Sequence, residues 1–128
     1  HRGFTLLALD AQAGANVRHW DGRELVAQPA ERPLASSSLD GGRAKSERRA
    51  LFERLTLGAA EPARVALELF HTSHEPERGP WSPCMHRAEA ATVSVSHVRV
   101  TPREIALRYA DGPPGANPFG DWLTLPRR

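Results

Sequence analysis

Phe4-Thr5-Leu6-Leu7-Ala8-Leu9-Asp10 is followed by Asn16-Val17-Arg18-His19-Trp20 and, across Asp21-Gly22, by Arg23-Glu24-Leu25-Val26. An Asp-Gly pair between two such segments is a strong hairpin signal, because Gly takes a positive φ at no steric cost. The small residues from Ala11 to Ala15 make the earlier turn. Residues 1–28 therefore predict an antiparallel meander of three strands. The first strand is apolar on both faces, which predicts cover from two sides. A strand of that kind starting three residues after His1 implies that the chain is part of something longer.

Pro29 to Pro33 breaks the pattern. Leu34-Ala35-Ser36-Ser37-Ser38-Leu39-Asp40 reads as a short strand running into a helix start, with Ser38 or Asp40 as N-cap. Arg43 to Leu57 predicts a helix with Ala44, Leu51, Phe52 and Leu55 on one side and Gly58 as its stop. A second helix starts at Pro62, a favoured first-turn position, and ends near His71–Ser73. Residues 74–90 are loop. Ala91 to Val100 predicts a strand, with Val93 and Val95 on one face and Val98 and Val100 on the other. That change of phase implies a bulge or burial on both faces. Ile105, Leu107 and Tyr109 alternate in the partner strand. Residues 111–128, rich in Pro and Gly at the start, predict an irregular tail. Strands, two helices and a hairpin make an α+β fold, with antiparallel sheet and helices packed on one face. The 128 residues form a single domain or the C-terminal portion of one.

Composition excludes several classes. Hydrophobic residues are 40% and charged residues 25%, which is ordinary for a globular chain. No apolar run approaches the ~20 residues of a membrane-spanning helix. Sixteen of the 17 basic residues are Arg, with Lys45 the exception, and Ala occurs 19 times. That bias fits a GC-rich bacterial genome. A formal charge of +2 is too small to imply nucleic acid. One cysteine excludes an internal disulfide framework and leans to the cytoplasm.

The chemistry-bearing residues gather late in the chain. His71-x-x-His74 lies at a helix end, and Cys84-x-His86 follows. Two His at i, i+3 share a helix side. Cys and His at i, i+2 in an extended segment point the same way. Together they could make a His3Cys zinc site, although the spacing matches no common zinc module. The plainer reading is a His favoured at a helix C-terminus plus two loop residues. Cys84 with His86 also raises nucleophilic catalysis, against the reading of Cys84 as a small buried hydrophobe. Ser36-Ser37-Ser38 could bind an anion or serve as nucleophile, but capping explains it more simply. His97 is either a satisfied core residue or faces a pocket. Trp20, Trp81, Phe119 and Trp122 either face a partner or close the core, and the core is the expectation.

These segments also resemble a known family. Gly3 to Asp10, Arg18-His19-Trp20-Asp21-Gly22, Leu34 to Asp40 and Arg48-Arg49-Ala50-Leu51-Phe52 resemble the central and C-terminal part of the NRDE proteins, the transport-and-Golgi-organisation family. Ser82-Pro83-Cys84-Met85-His86-Arg87, Ala91 to Ser96 and the hairpin ending at Gly112-Pro113-Pro114 are similar to that family's last strand pair. The resemblance implies an α-β-β-α sandwich of the N-terminal-nucleophile type, in which a terminal Cys, Ser or Thr attacks an amide carbonyl. It departs at the decisive point. The first residue is His1, the Met-Cys start and the Asn-Arg-Asp-Glu stretch are absent, and Ser37-Ser38 stands where the family has Ser-Asn.

The expectation is thus the C-terminal part of an NRDE-like protein. Its parent would hydrolyse a C–N amide bond of a small molecule, and this chain alone would lack the nucleophile. Ser36, Ser37, Ser38, Cys84, His86 and the run from Thr92 through Ser94 to Ser96 are pocket-wall residues in that reading. No cofactor is expected, and the N-terminal part of the same protein would be the partner. The alternative is a non-catalytic or trafficking-related protein that binds zinc or haem through His71, His74, Cys84 and His86.

Overall fold

The computed structural model describes residues 3–35, 37, 39–58 and 63–127. Among them the elements run β1 (Phe4–Asp10), β2 (Gly14–Trp20), β3 (Leu25–Gln28), α1 (Gly41–Thr56), α2 (Arg64–Thr72), β4 (Ser94–Val100), β5 (Glu104–Asp111) and β6 (Leu123–Pro126). The strands form two antiparallel three-stranded sheets, ordered β1-β2-β3 and β4-β5-β6. The fold is α+β. No helix among the described residues is long and apolar enough to cross a membrane. The chain divides into two units. One comprises His1–Glu31, His97–Arg108 and Asp121–Arg128, and the other Arg32–Ser96 and Tyr109–Gly120.

The first unit carries the meander. β1 pairs with β2 from Phe4↔Trp20 to Asp10↔Gly14. The turn between them is built by Asp10, whose Oδ1 accepts from Gln12 N at 2.8 Å and Ala13 N at 2.9 Å. This Asx turn lets β2 begin at Gly14 (φ 76°), two residues before the sequence expectation. Asp21 does the same at the second turn, accepting from Arg23 N and Glu24 N. The returning strand therefore starts at Leu25 rather than Arg23. β1 is not covered on two faces as its apolar run predicts. Phe4, Leu6, Leu7 and Leu9 are each about half exposed.

The expected irregular tail contains β6, which pairs with β5 through Ile105↔Leu125 and Leu107↔Leu123. Beyond it Arg127 Nη2 reaches Asp10 Oδ2 at 3.1 Å. Burial of β4 on both faces is also corrected, since Val98 is 51% exposed. His97 is satisfied by its neighbour strand: Arg108 donates to its Nδ1 from Nη2 at 2.9 Å.

In the second unit α1 is capped by Asp40, whose Oδ1 accepts from Arg43 N at 3.0 Å. The rival cap Ser38, with Ser36, lies outside the described residues, as does Pro62. Leu34-Ala35 forms no strand. α1 ends at Leu57, which sits in the left-handed region at φ 50°, followed by Gly58 at φ 70°. Leu51, Phe52 and Phe70 make the buried cluster between the helices, with Leu55 and Leu67 packed against it. Phe52 and Phe70 meet edge to face, 5.4 Å between centroids. The core is thus aliphatic and Phe-based. Trp20, Trp81, Phe119 and Trp122 do not join it, which corrects the expectation for them. Trp81 lies under the Arg43 guanidinium at 4.6 Å, and Trp122 in the first unit lies under Arg99 and Arg108.

Candidate metal centre

The helix α2 decides where the first His goes. Its C-cap Ser73 turns to ψ 139°, out of helical geometry. His71 stays on the helix with its ring against Phe70, while His74 leaves in the extended segment that follows. The i, i+3 pairing expected for these two residues needs a continuous helix, and the helix stops between them. His71 is not part of the cluster that forms.

That cluster is His74, Cys84 and His86. Their donor atoms all lie within 4.8 Å of one another. His74 Nε2 is 3.1 Å from His86 Nε2, and Cys84 Sγ is 3.6 Å from His86 Nε2. The intervening loop is tied down by its own backbone. Cys84 N donates to Ser73 O at 3.1 Å, which seats the thiol beside His74. His86 N donates to Gly79 O at 3.1 Å. Ser82 is fully buried, and its hydroxyl is within bonding distance of Gly79 O (3.0 Å) and Cys84 O (2.8 Å).

On the far side, His86 bridges to Ala91, and Thr92 clamps Met85. Thr92 Oγ1 accepts from Met85 N at 2.9 Å, and Thr92 N donates to Met85 O at 2.9 Å. Thr92, expected as a pocket-wall residue, thus holds the segment that carries two of the three donors. Ser37 instead organises its own turn, accepting from Leu39 N. Ser94 and Ser96 lie on β4, half-buried and exposed respectively.

The electrostatics follow from burial. Cys84 is 1% exposed, and desolvation pushes its thiol above the usual value, with Arg78 opposing. A thiol kept neutral and shut away is poorly suited to attack a substrate carbonyl, and it would have to give up its proton to ligate a metal. His86 is pushed below the usual imidazole value, first by desolvation and then by the positive charge of Arg78 and by His74. Both effects favour neutral imidazole, the form that ligates a metal. A tetrahedral Zn2+ bonded at about 2.0–2.1 Å to nitrogen and about 2.3 Å to sulfur holds two nitrogens ~3.3 Å apart and a nitrogen and a sulfur ~3.6 Å apart. The two separations from His86, 3.1 and 3.6 Å, lie near that spacing, and the third pair, His74 and Cys84, lies within 4.8 Å.

Sequence reasoning reached these three residues and missed their supports. Ser73 and Gly79 act through backbone carbonyls, which leave no side-chain signature. Arg48 of α1 is another such support, its guanidinium donating to the loop carbonyls of Trp81 and Ser82. Comparison of the chain with protein-family models, curated proteins and solved structures gave no match.

Proposed function

We propose that the chain is a metal-binding protein that holds one Zn2+ through His74 Nε2, Cys84 Sγ and His86 Nε2. The observation that carries this is the pair of separations within the cluster, 3.1 Å between the ring nitrogens and 3.6 Å from thiol to ring. The donor set supports the choice of metal. Imidazole and thiolate suit Zn2+, whereas Ca2+ and Mg2+ take oxygen ligands. Three protein donors leave a fourth position for water or an exogenous ligand, as in zinc sites that are not purely structural. His74 is exposed, which gives the ion a path from solvent. A gap this narrow suits a single ion rather than a haem.

The amide-hydrolase reading, and with it kinship to the NRDE family, draws on short motifs and on an α+β architecture, and fold is weak ground for function.

The test is elemental analysis of tag-free protein, as purified and after incubation with Zn2+ and desalting. One zinc per chain is expected, with Cys84→Ser retaining less than about a tenth of it. A chain that carries no zinc under either condition overturns the proposal.

A further inference from the structure

Arg48 lies half-buried on α1, and its guanidinium is directed at three successive backbone carbonyls. Nε donates to Trp81 O at 3.1 Å, and Nη2 to Ser82 O at 3.0 Å and to Pro80 O at 3.5 Å. Those carbonyls stand just before Pro83-Cys84. Fixing three consecutive peptide planes fixes the direction in which the chain enters the ligand Cys84. The same loop then returns His86 N to Gly79 O. Five residues earlier on α1, the Arg43 guanidinium covers the Trp81 ring, so the helix grips this loop at two places. α1 is itself capped by Asp40 and anchored by Leu51 and Phe52, which makes it a rigid platform. Only a planar fork of several N–H donors can serve this array, and Lys offers a compact ammonium instead.

We propose that Arg48 is a positioning residue for the metal centre: it sets the 80–84 loop so that Cys84 and His86 meet His74 at ligand distance. The inference rests on the zinc reading above. Outer residues that orient metal ligands are worth about 10- to 100-fold in affinity when removed, and Arg48 acts in this way through the backbone.

The experiment measures Zn2+ affinity of the full chain by competition with a chromophoric chelator. It is paired with thermal unfolding of the metal-free protein and visible spectra of the Co2+-loaded protein. The variants are Arg48→Met, Arg48→Lys and, as a control that loosens the helix core while keeping the guanidinium contacts to the carbonyls of residues 80–82, Leu51→Val. Arg48→Met is expected to weaken Zn2+ binding about 10- to 100-fold. Arg48→Lys is expected to give a smaller loss and an altered Co2+ spectrum, and it serves alone where Arg48→Met does not fold. Leu51→Val is expected to stay within about threefold of the parent even where it lowers the unfolding temperature as much. Tight binding by the parent with unchanged Arg48 variants, or equal losses in Arg48→Met and Leu51→Val, overturns the role of Arg48 and leaves the zinc site standing. No binding by the parent chain overturns both.

Discussion

The rings of His74 and His86 stack with centroids 5.1 Å apart and planes 26° from parallel, and their Nε2 atoms face each other at 3.1 Å. In the metal-free chain one ring donates to the other, so at most one proton fits the gap. A cation set between them uses both lone pairs at once. His74→Ala should therefore lower Zn2+ affinity by more than about 100-fold, beyond the usual loss for an outer residue. His74 is exposed, so the metal-free variant should unfold at the parent's temperature. The rise in unfolding temperature that Zn2+ gives the parent should disappear in the variant. Thermal unfolding with and without Zn2+ checks both statements.

Leu57 ends α1 in the left-handed region at φ 50° and is 91% exposed. A side chain there costs about 1–2 kcal/mol of backbone strain and gains nothing from burial. Leu57→Gly removes the clash but frees the unfolded chain, so the expected net gain is about 0.5–1 kcal/mol. Gly58→Ala, at φ 70°, should move stability the other way. Urea unfolding of the two variants measures the pair.

Asp10 is held down to about 2 from the usual 3.8, first by the Ala13 amide, then by the Gln12 amide and by Arg127. Its folded value lies below its unfolded one, so the carboxylate stabilises the chain above pH 4 and that contribution drains away as pH falls toward 2. The stability difference between the parent and Asp10→Asn should be present at pH 7, shrink below about pH 4 and be small by about pH 2. Arg127→Met should raise the Asp10 midpoint only part of the way, because the two amides are the larger cause. Carboxyl NMR titration reads the midpoint directly, and a parent value near 4 contradicts the account.

Much of the fold was legible in the sequence because it is local. The Asp-Gly turn, the apolar spacing of α1 and its Asp40 cap are read from neighbours a few residues apart. β6 was not legible, since four residues ending in Pro126 carry little alternation and pair only with a formed β5. The apolar run of β1 gave the strand but not its burial, which depends on what packs there. At the site, Cys84-x-His86 announced itself by type and spacing. His71 misled, because its i, i+3 pairing with His74 needs helix beyond the end near Ser73 that the sequence itself predicts. Arg48 was invisible, because its partners are carbonyls 32–34 residues away that any sequence would possess.

The proposed site has His74, Cys84 and His86 sharing one zinc ion. X-ray absorption at the zinc edge, on the full chain loaded with one equivalent of Zn2+, tests it most directly. The account requires one sulfur at about 2.3 Å and two imidazole nitrogens at about 2.0–2.1 Å, with one further light atom in the fourth position. A zinc shell without sulfur, or with the signature of zinc left in solution, contradicts it.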